Sequence, residues 1–132
     1  MKYLLDTDTC IYFLNGNQNI AKKLTQISEQ KIFTTILNIA ELKFGAYNSK
    51  KIQYNLSRID EFKQRINILD EFSENIITSF AHAKAGLRKK GKTIGDFDLL
   101  IAAFAINNNL TLITNNYSHF NNISNLKSEN WI

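Results

Sequence analysis

The chain alternates short apolar runs with longer stretches in which apolar residues recur at helical spacing. The short runs lie at residues 3–5, 31–35, 67–69 and 110–113. The helical stretches lie at residues 9–14, 20–27, 37–47, 51–65, 74–90 and 97–106. Strands that alternate with helices are typical of a parallel sheet covered by helices. The pattern therefore predicts an α/β fold with a mostly parallel sheet of four or five strands.

Composition excludes several other classes of protein. The 132 residues are 44% hydrophobic, enough to bury a core, and no proline-rich or glycine-rich linker divides residues 1–132 into separate domains. Cys10 is the single cysteine, which excludes an internal disulfide, predicts a small buried hydrophobe and indicates a reducing cytoplasmic setting. No apolar stretch reaches the roughly eighteen residues of a membrane helix, and we see no signal-peptide core. The net charge of +4 suits a polyanionic partner such as RNA or DNA.

Three acidic residues occupy positions where their charge needs an explanation. Asp6 ends the first apolar run, Glu41 stands inside the sequence IAELKFG, and Asp98 opens the most apolar helix. Parallel sheets bind ligands at the carboxyl ends of their strands, and converging carboxylates repel each other unless a cation neutralises them. Oxygen ligands without a histidine or cysteine cluster favour Mg²⁺ or Mn²⁺ over zinc. The three acids together predict a metal site.

Taken singly, each acid has a simpler explanation. Asp6 is equally typical of a turn, and Glu41 of a helix edge from which the side chain reaches solvent. Asp96 is interpreted either as the N-cap of the apolar helix or as a further metal ligand. Only the set of Asp6, Glu41 and Asp98 favours a functional interpretation.

Other polar residues flank these acids. Some could position water or substrate, although turns of the same composition are common: Thr7, Asp8, Thr114, Asn115 and Asn116. His82 and His119 are isolated in the sequence, and we interpret both as structural or surface residues. These residues are therefore secondary candidates for the site.

Four sequence blocks, in order, resemble those of VapC toxins. They are LLDTDTCIYFL, IAELKFGA, GKTIGDFDLLIAA and LITNN, and the later SNLKSENW is also similar to that family. The resemblance implies a PIN domain, a three-layer α/β/α sandwich over residues 1–132. It implies a Mg²⁺-dependent endoribonuclease, the toxin of a type II toxin–antitoxin system, which cleaves tRNA or mRNA and arrests translation and growth.

The resemblance also implies roles for individual residues. Asp6, Glu41 and Asp98 fall on the acids of the family's motif. Asp96 stands where family members often have proline, and Asp8 where asparagine is common. Many PIN domains carry a fourth acid after the fourth strand, where this chain has Asn115, Asn116 and His119. The three-acid core is thus intact, whereas the fourth position departs from the family pattern.

The implied partners are RNA, a second copy of the chain and a VapB antitoxin, through which the complex also associates with operator DNA. The antitoxin commonly lays a C-terminal segment across the toxin and places a basic side chain at the acidic site. A helix pair carrying Tyr47, Tyr54, Leu56 and Phe62 could supply the apolar groove for it. Alternatively, these four residues fill the core.

Two other functions compete with this one. Asp6-Thr7-Asp8 is similar to the nucleophile loop of haloacid dehalogenase-type phosphatases, but Cys10 departs from that pattern and Asp98 opens a helix instead of following a strand. A non-enzymatic module that grips RNA or a protein through a basic surface is the second alternative. Such a binder would show no thermal shift with Mg²⁺ or Mn²⁺.

Overall fold

The computed structural model describes residues 1–132 as a sheet flanked by helices. The strands are β1 (Tyr3–Leu5), β2 (Ile32–Thr35), β3 (Asn67–Leu69), β4 (Thr111–Ile113) and β5 (Ser128–Glu129). The helices are α1 (Thr7–Leu14), α2 (Gln18–Gln26), α3 (Ile36–Tyr47), α4 (Ile52–Arg65), α5 (Glu74–Lys89), α6 (Asp96–Asn107) and α7 (Tyr117–Phe120). None of these helices is long and apolar enough to cross a membrane.

The five strands form one sheet in the order β3-β2-β1-β4-β5, and every neighbouring pair is parallel. The chain builds the sheet outward from β1, first towards β3 and later towards β5. Strand order thus reverses beside β1, where Leu5 pairs with Ile113 of β4. Such a reversal leaves a crevice at the carboxyl ends of the strands, because the connections on its two sides diverge.

Alternate residues of the central strand pack into different cores. Leu4 belongs to a core that contains residues of α5 and α6, whereas Leu5 belongs to one that contains residues of α1, α3 and α4. Side chains alternate between the two faces of a strand, so a sheet covered on both faces needs consecutive apolar residues. The structure thus confirms the predicted α/β/α sandwich.

The predicted elements are present with small shifts at their ends. Helix α1 begins two residues earlier than predicted, at Thr7, because the Asp6 side chain caps it. The prediction that Asp96 caps the apolar helix is wrong: α6 begins at Asp96 itself, and its N-cap is Gly95, which has no side chain to donate or accept. Helix α7 and strand β5 were not located from the sequence, since two to four residues carry no recognisable periodicity.

Candidate active site

Asp6 lies at the carboxyl end of β1 and is also the N-cap of α1. Its Oδ1 accepts a hydrogen bond from the Thr9 backbone N–H at 2.9 Å. The residue is 7% exposed and takes part in none of the three ion pairs of the structure. Burial raises the pKa of the Asp6 carboxyl above its usual 3.8, hydrogen bonds from Thr114 and Thr9 lower it, and the charge of Asp8 raises it. Asp6 is therefore a buried carboxylate without a compensating cation.

Asp98 lies in the first turn of α6, where the helix dipole favours a negative charge. Its Oδ2 is 3.2 Å from Nδ1 of His119 on α7. Burial raises the pKa of the Asp98 carboxyl above its usual 3.8, the charge of His119 lowers it, and that of Asp8 raises it. Since the charge of Asp8 raises the pKa of both Asp6 and Asp98, these three carboxylates lie in one region of negative potential.

Glu41 lies on α3 and is connected to the β1 end through hydrogen bonds. The Thr7 hydroxyl donates to Oε1 of Glu41 at 2.5 Å, and Nδ2 of Asn38 donates to the Thr7 oxygen at 3.0 Å. Asn38 is fully buried and forms a capping box with Thr35 at the start of α3. The Glu41 side chain is therefore held towards the loop that carries Asp6, across 34 positions of sequence.

The residues after β4 divide into two groups. Thr114 is buried, lies close enough to Asp6 to lower the pKa of its carboxyl, and accepts from the Asn116 backbone N–H at 2.9 Å. Asn115 and the Asn116 side chain are exposed and make no side-chain hydrogen bond. Thr114 thus supports Asp6 directly, whereas the two asparagines lie at the rim.

Asp96 forms an ion pair with a lysine of α5. It is exposed, and its Oδ1 accepts a hydrogen bond from Nζ of Lys84 on α5 at 2.9 Å. Because this ion pair is solvent-exposed, it contributes little to stability. Asp96 is therefore a partner of α5 and stays only a secondary candidate for the site.

The donor set suits a hydrated ion better than an all-protein cage. No three Asp, Glu, His or Cys side chains are close enough together to hold one ion by themselves. Carboxylates that lack a cation repel each other, and Mg²⁺ usually takes one or two carboxylates and keeps several waters. The buried, unpaired Asp6 and the nearby Asp98 fit that requirement, since both would gain from a positive charge between them.

Sequence reasoning missed two residues of this region, Asn38 and His119. In the sequence, nothing distinguishes Asn38 from other polar residues of α3 except its position three residues after Thr35, which is typical of a capping box. The sequence predicts a structural or surface histidine at position 119, whereas the folded chain places His119 in contact with Asp98. His82 is exposed, as predicted, and Cys10 is fully buried, as predicted.

The proposed apolar groove of α3 and α4 is only partly confirmed. Phe62 is buried and Leu56 packs against the core, whereas Tyr47 and Tyr54 are 63% and 58% exposed. A cavity of about 210 Å³ lies instead between α1, α3 and α4, with Glu41 and Arg58 among its lining residues. An apolar depression therefore does reach the acidic region, but other side chains form it.

Comparison with known families identifies the family to which this chain belongs. The family model described as "PIN domain" matches residues 3–126. The chain belongs to the PIN-domain family. A phosphatase of the haloacid dehalogenase type is thereby excluded, because the match includes Asp6-Thr7-Asp8, on which that alternative rested.

Relatives place the chain more narrowly, within the VapC group of PIN-domain ribonucleases. It is 38% identical to "Ribonuclease VapC2" of Rickettsia felis, over 99% of this chain and 98% of the relative. It is 29% identical to the "tRNA(fMet)-specific endonuclease VapC" of Shigella flexneri, over 99% and 98%. A crystal structure of VapBC2 from Rickettsia felis, bound to a DNA fragment from its promoter, superposes with a TM-score of 0.93 at 37% identity and covers 100% of both chains.

Proposed function

We propose that this chain, as one domain spanning residues 1–132, is a Mg²⁺-dependent endoribonuclease that acts in the cytoplasm as the toxin of a type II toxin–antitoxin system. The observation that carries the proposal is the buried, uncompensated Asp6 carboxylate at the crevice of the sheet. Full-length likeness to VapC ribonucleases supports RNA as the substrate. Cleavage of tRNA or mRNA would arrest translation and growth.

Asp6 and Asp98 are the residues that would hold the ion, with Glu41 close by. Both carboxylates are desolvated and face no lysine or arginine, so ionising them at neutral pH favours the binding of a cation. When bound, Mg²⁺ (or Mn²⁺ in its place) neutralises charge on a phosphate and makes a water molecule more acidic. Asp96 is left outside this set, because it pairs with Lys84.

Glu41 is assigned the positioning of the attacking water. Its Oε1 is occupied by the Thr7 hydroxyl, so Oε2 is the atom left to accept a proton from water. Thr7 can donate to Glu41 because its oxygen accepts from Asn38, which fixes the direction of the hydroxyl proton.

Thr114 and the Thr9 N–H keep Asp6 oriented while the charge around it changes. Asp8, Asn115 and Asn116, all exposed at the rim, are assigned to water or substrate contacts.

The antitoxin is proposed to enter the cavity between α1, α3 and α4. The lining is apolar at Ile11, Leu14 and Ile59 and also includes the charged residues Glu41 and Arg58. An extended or helical segment with apolar anchors could fill the apolar part, and one basic residue of that segment could pair with Glu41. A VapB-type partner bound there would cover the site, and it would also carry the chain to operator DNA.

Self-association is proposed to use an exposed stripe on α3. Ile36, Phe44 and Tyr47 are 38%, 71% and 63% exposed, and with the exposed Ala40 they recur every three or four residues. This spacing places all four on one side of a helix. Apolar surface of this kind, outside both cores, marks an interaction site, and a second copy of the chain can cover it by two-fold symmetry.

The decisive experiment is cleavage of total cellular RNA by antitoxin-free protein with Mg²⁺, with Mn²⁺ and with EDTA. We expect cutting with either ion, no cutting with EDTA, and loss of at least about a hundredfold in rate for Asp6→Asn. Asp70→Asn, at an exposed acid after β3, is the matched control and should cut like the wild type. Metal-independent RNA binding without cleavage would instead establish the chain as a binding module.

A further inference from the structure

We propose that His119 is a nitrogen ligand of the divalent ion held by Asp98, and that it gives this site a preference for Mn²⁺ over Mg²⁺. The inference rests on the metal site of the proposed function. It assigns to that site a residue from α7, the short helix after β4.

The first observation is the separation of the two donor atoms. His119 Nδ1 and Asp98 Oδ2 are 3.2 Å apart. Two adjacent ligands of an octahedral ion, each bonded at about 2.1 Å, are separated by about 3 Å. The two side chains are therefore already spaced as neighbouring ligands of one ion.

The second observation is that the same nitrogen lacks a partner. Nδ1 of His119 is buried and makes no hydrogen bond, although Asp98 Oδ2 lies within reach. The contact between Nδ1 and Oδ2 therefore lacks the geometry of a hydrogen bond. Leaving a buried polar atom unpaired costs about 1–3 kcal/mol, so a native structure usually supplies a partner. Two ligand atoms that are this close and do not hydrogen-bond to each other could both bind one ion.

The surroundings hold the imidazole in this orientation. The His119 ring packs edge-on against Phe120 at a centroid distance of 5.9 Å, and Phe120 is buried in the core. The His119 backbone N–H donates to the Asn116 carbonyl at 2.9 Å, which closes the turn of α7. The side chain is 41% exposed, so its outer edge can donate Nε2–H to water while Nδ1 faces inward.

Ligand chemistry then sets the choice of ion. Mg²⁺ takes oxygen ligands almost exclusively, whereas first-row transition ions also bind imidazole nitrogen. An ion held by Asp98 and His119, with water as its other ligands, would therefore gain little from the nitrogen if it were Mg²⁺ and more if it were Mn²⁺. His119 would act as a selector between two ions that the carboxylates alone distinguish weakly.

The test compares Mn²⁺ and Mg²⁺ binding to the full chain without RNA, by calorimetry and by electron spin echo envelope modulation of the Mn²⁺-loaded protein. The chain has two histidines, so His82→Gln, on the exposed side of α5, is a complete control. We expect ¹⁴N modulation in the wild type and in His82→Gln, and none in His119→Gln. His119→Gln should weaken Mn²⁺ binding about tenfold or more while changing Mg²⁺ binding by less than about twofold.

The remaining outcomes distinguish a failure of the His119 ligand from a failure of the proposed metal-dependent function on which it rests. If Mn²⁺ binds, is lost in Asp98→Asn and shows no ¹⁴N modulation, the His119 ligand is overturned and the metal site stands. Tighter binding of both ions to His119→Gln would also overturn the His119 ligand. In that case the imidazole would compete with the metal ion as the positive charge that neutralises Asp98. If neither ion binds the wild type, both the ligand and the proposed metal-dependent function are wrong.

Discussion

The Asp6 carboxylate is buried at the end of β1 beside Thr9 and Thr114, with no basic side chain in contact. Folding removes this carboxylate from water, and its two hydrogen-bonding neighbours compensate only in part. Its pKa is therefore raised in the folded chain, as is that of Asp98. A group that weakens the fold when it is ionised, and that lies at the carboxyl ends of parallel strands where ligands bind, is typical of functional sites.

The pH dependence of stability should reveal this burial. Between the usual pKa of 3.8 and the raised pKa of Asp6, the folded chain binds more protons than the unfolded chain. The free energy of unfolding of the metal-free protein should therefore fall as pH rises through this range, and Asp98 contributes with the same sign.

Urea denaturation at a series of pH values in EDTA measures this effect, with Asp6→Asn as the comparison. We expect a smaller slope in Asp6→Asn and, near neutral pH, a free energy of unfolding higher than that of the wild type by about 1 kcal/mol. The asparagine keeps an acceptor for the Thr9 N–H, so the helix cap is preserved. Equal slopes in the two proteins would contradict a raised pKa at Asp6.

Thr7 should control the orientation of Glu41 and not its charge. Thr7→Val removes the hydroxyl that donates to Glu41 and accepts from Asn38 while keeping the size of the side chain. We expect RNA cleavage to fall about tenfold, with Thr7→Ser restoring most of it. Full activity of Thr7→Val, measured at saturating metal, would show that Glu41 needs no positioning by this hydroxyl.

At the start of α3, the buried side-chain amide of Asn38 connects the helix cap to the candidate site. Oδ1 of Asn38 accepts from the Thr35 backbone N–H at 3.0 Å and from its hydroxyl at 2.7 Å, while Nδ2 donates to Thr7. A helix terminus with its first N–H groups satisfied resists fraying. The capping box thus fixes the first turn of α3, and Glu41 follows one turn later.

Asn38→Ala should therefore destabilise the protein and impair cleavage together. The change removes the capping box and leaves the Thr35 groups unpaired in the interior, which should lower the free energy of unfolding by about 2–3 kcal/mol. Asn48→Ala, at the exposed C-cap of the same helix, is the control and should change it by less than about 0.5 kcal/mol. Similar losses for both variants in chemical denaturation would argue against a special role for Asn38.

The whole molecule presents the apolar stripe of α3 on its surface, and this stripe should determine the oligomeric state. Phe44→Glu places a charge at its most exposed residue, so we expect a shift from dimer to monomer in sedimentation experiments without loss of fold. Ile77→Glu, at a 48% exposed apolar residue on α5, is the control and should remain dimeric. A monomeric wild type at all accessible concentrations would contradict this proposal.

The sequence alone determined the elements, because apolar periodicity is a local property of the chain. Four strands and six helices were predicted within about two residues of their observed ends. Asp6, Glu41 and Asp98 stood out for the same reason: each interrupts an apolar pattern, and the motif blocks around them are contiguous. The tertiary structure decided which strands became neighbours, how deeply Asp6 is buried and which residues surround the acids. The Asn38–Thr7–Glu41 chain and the Asp98–His119 contact join residues of different elements, and contacts of that kind depend on how the elements pack.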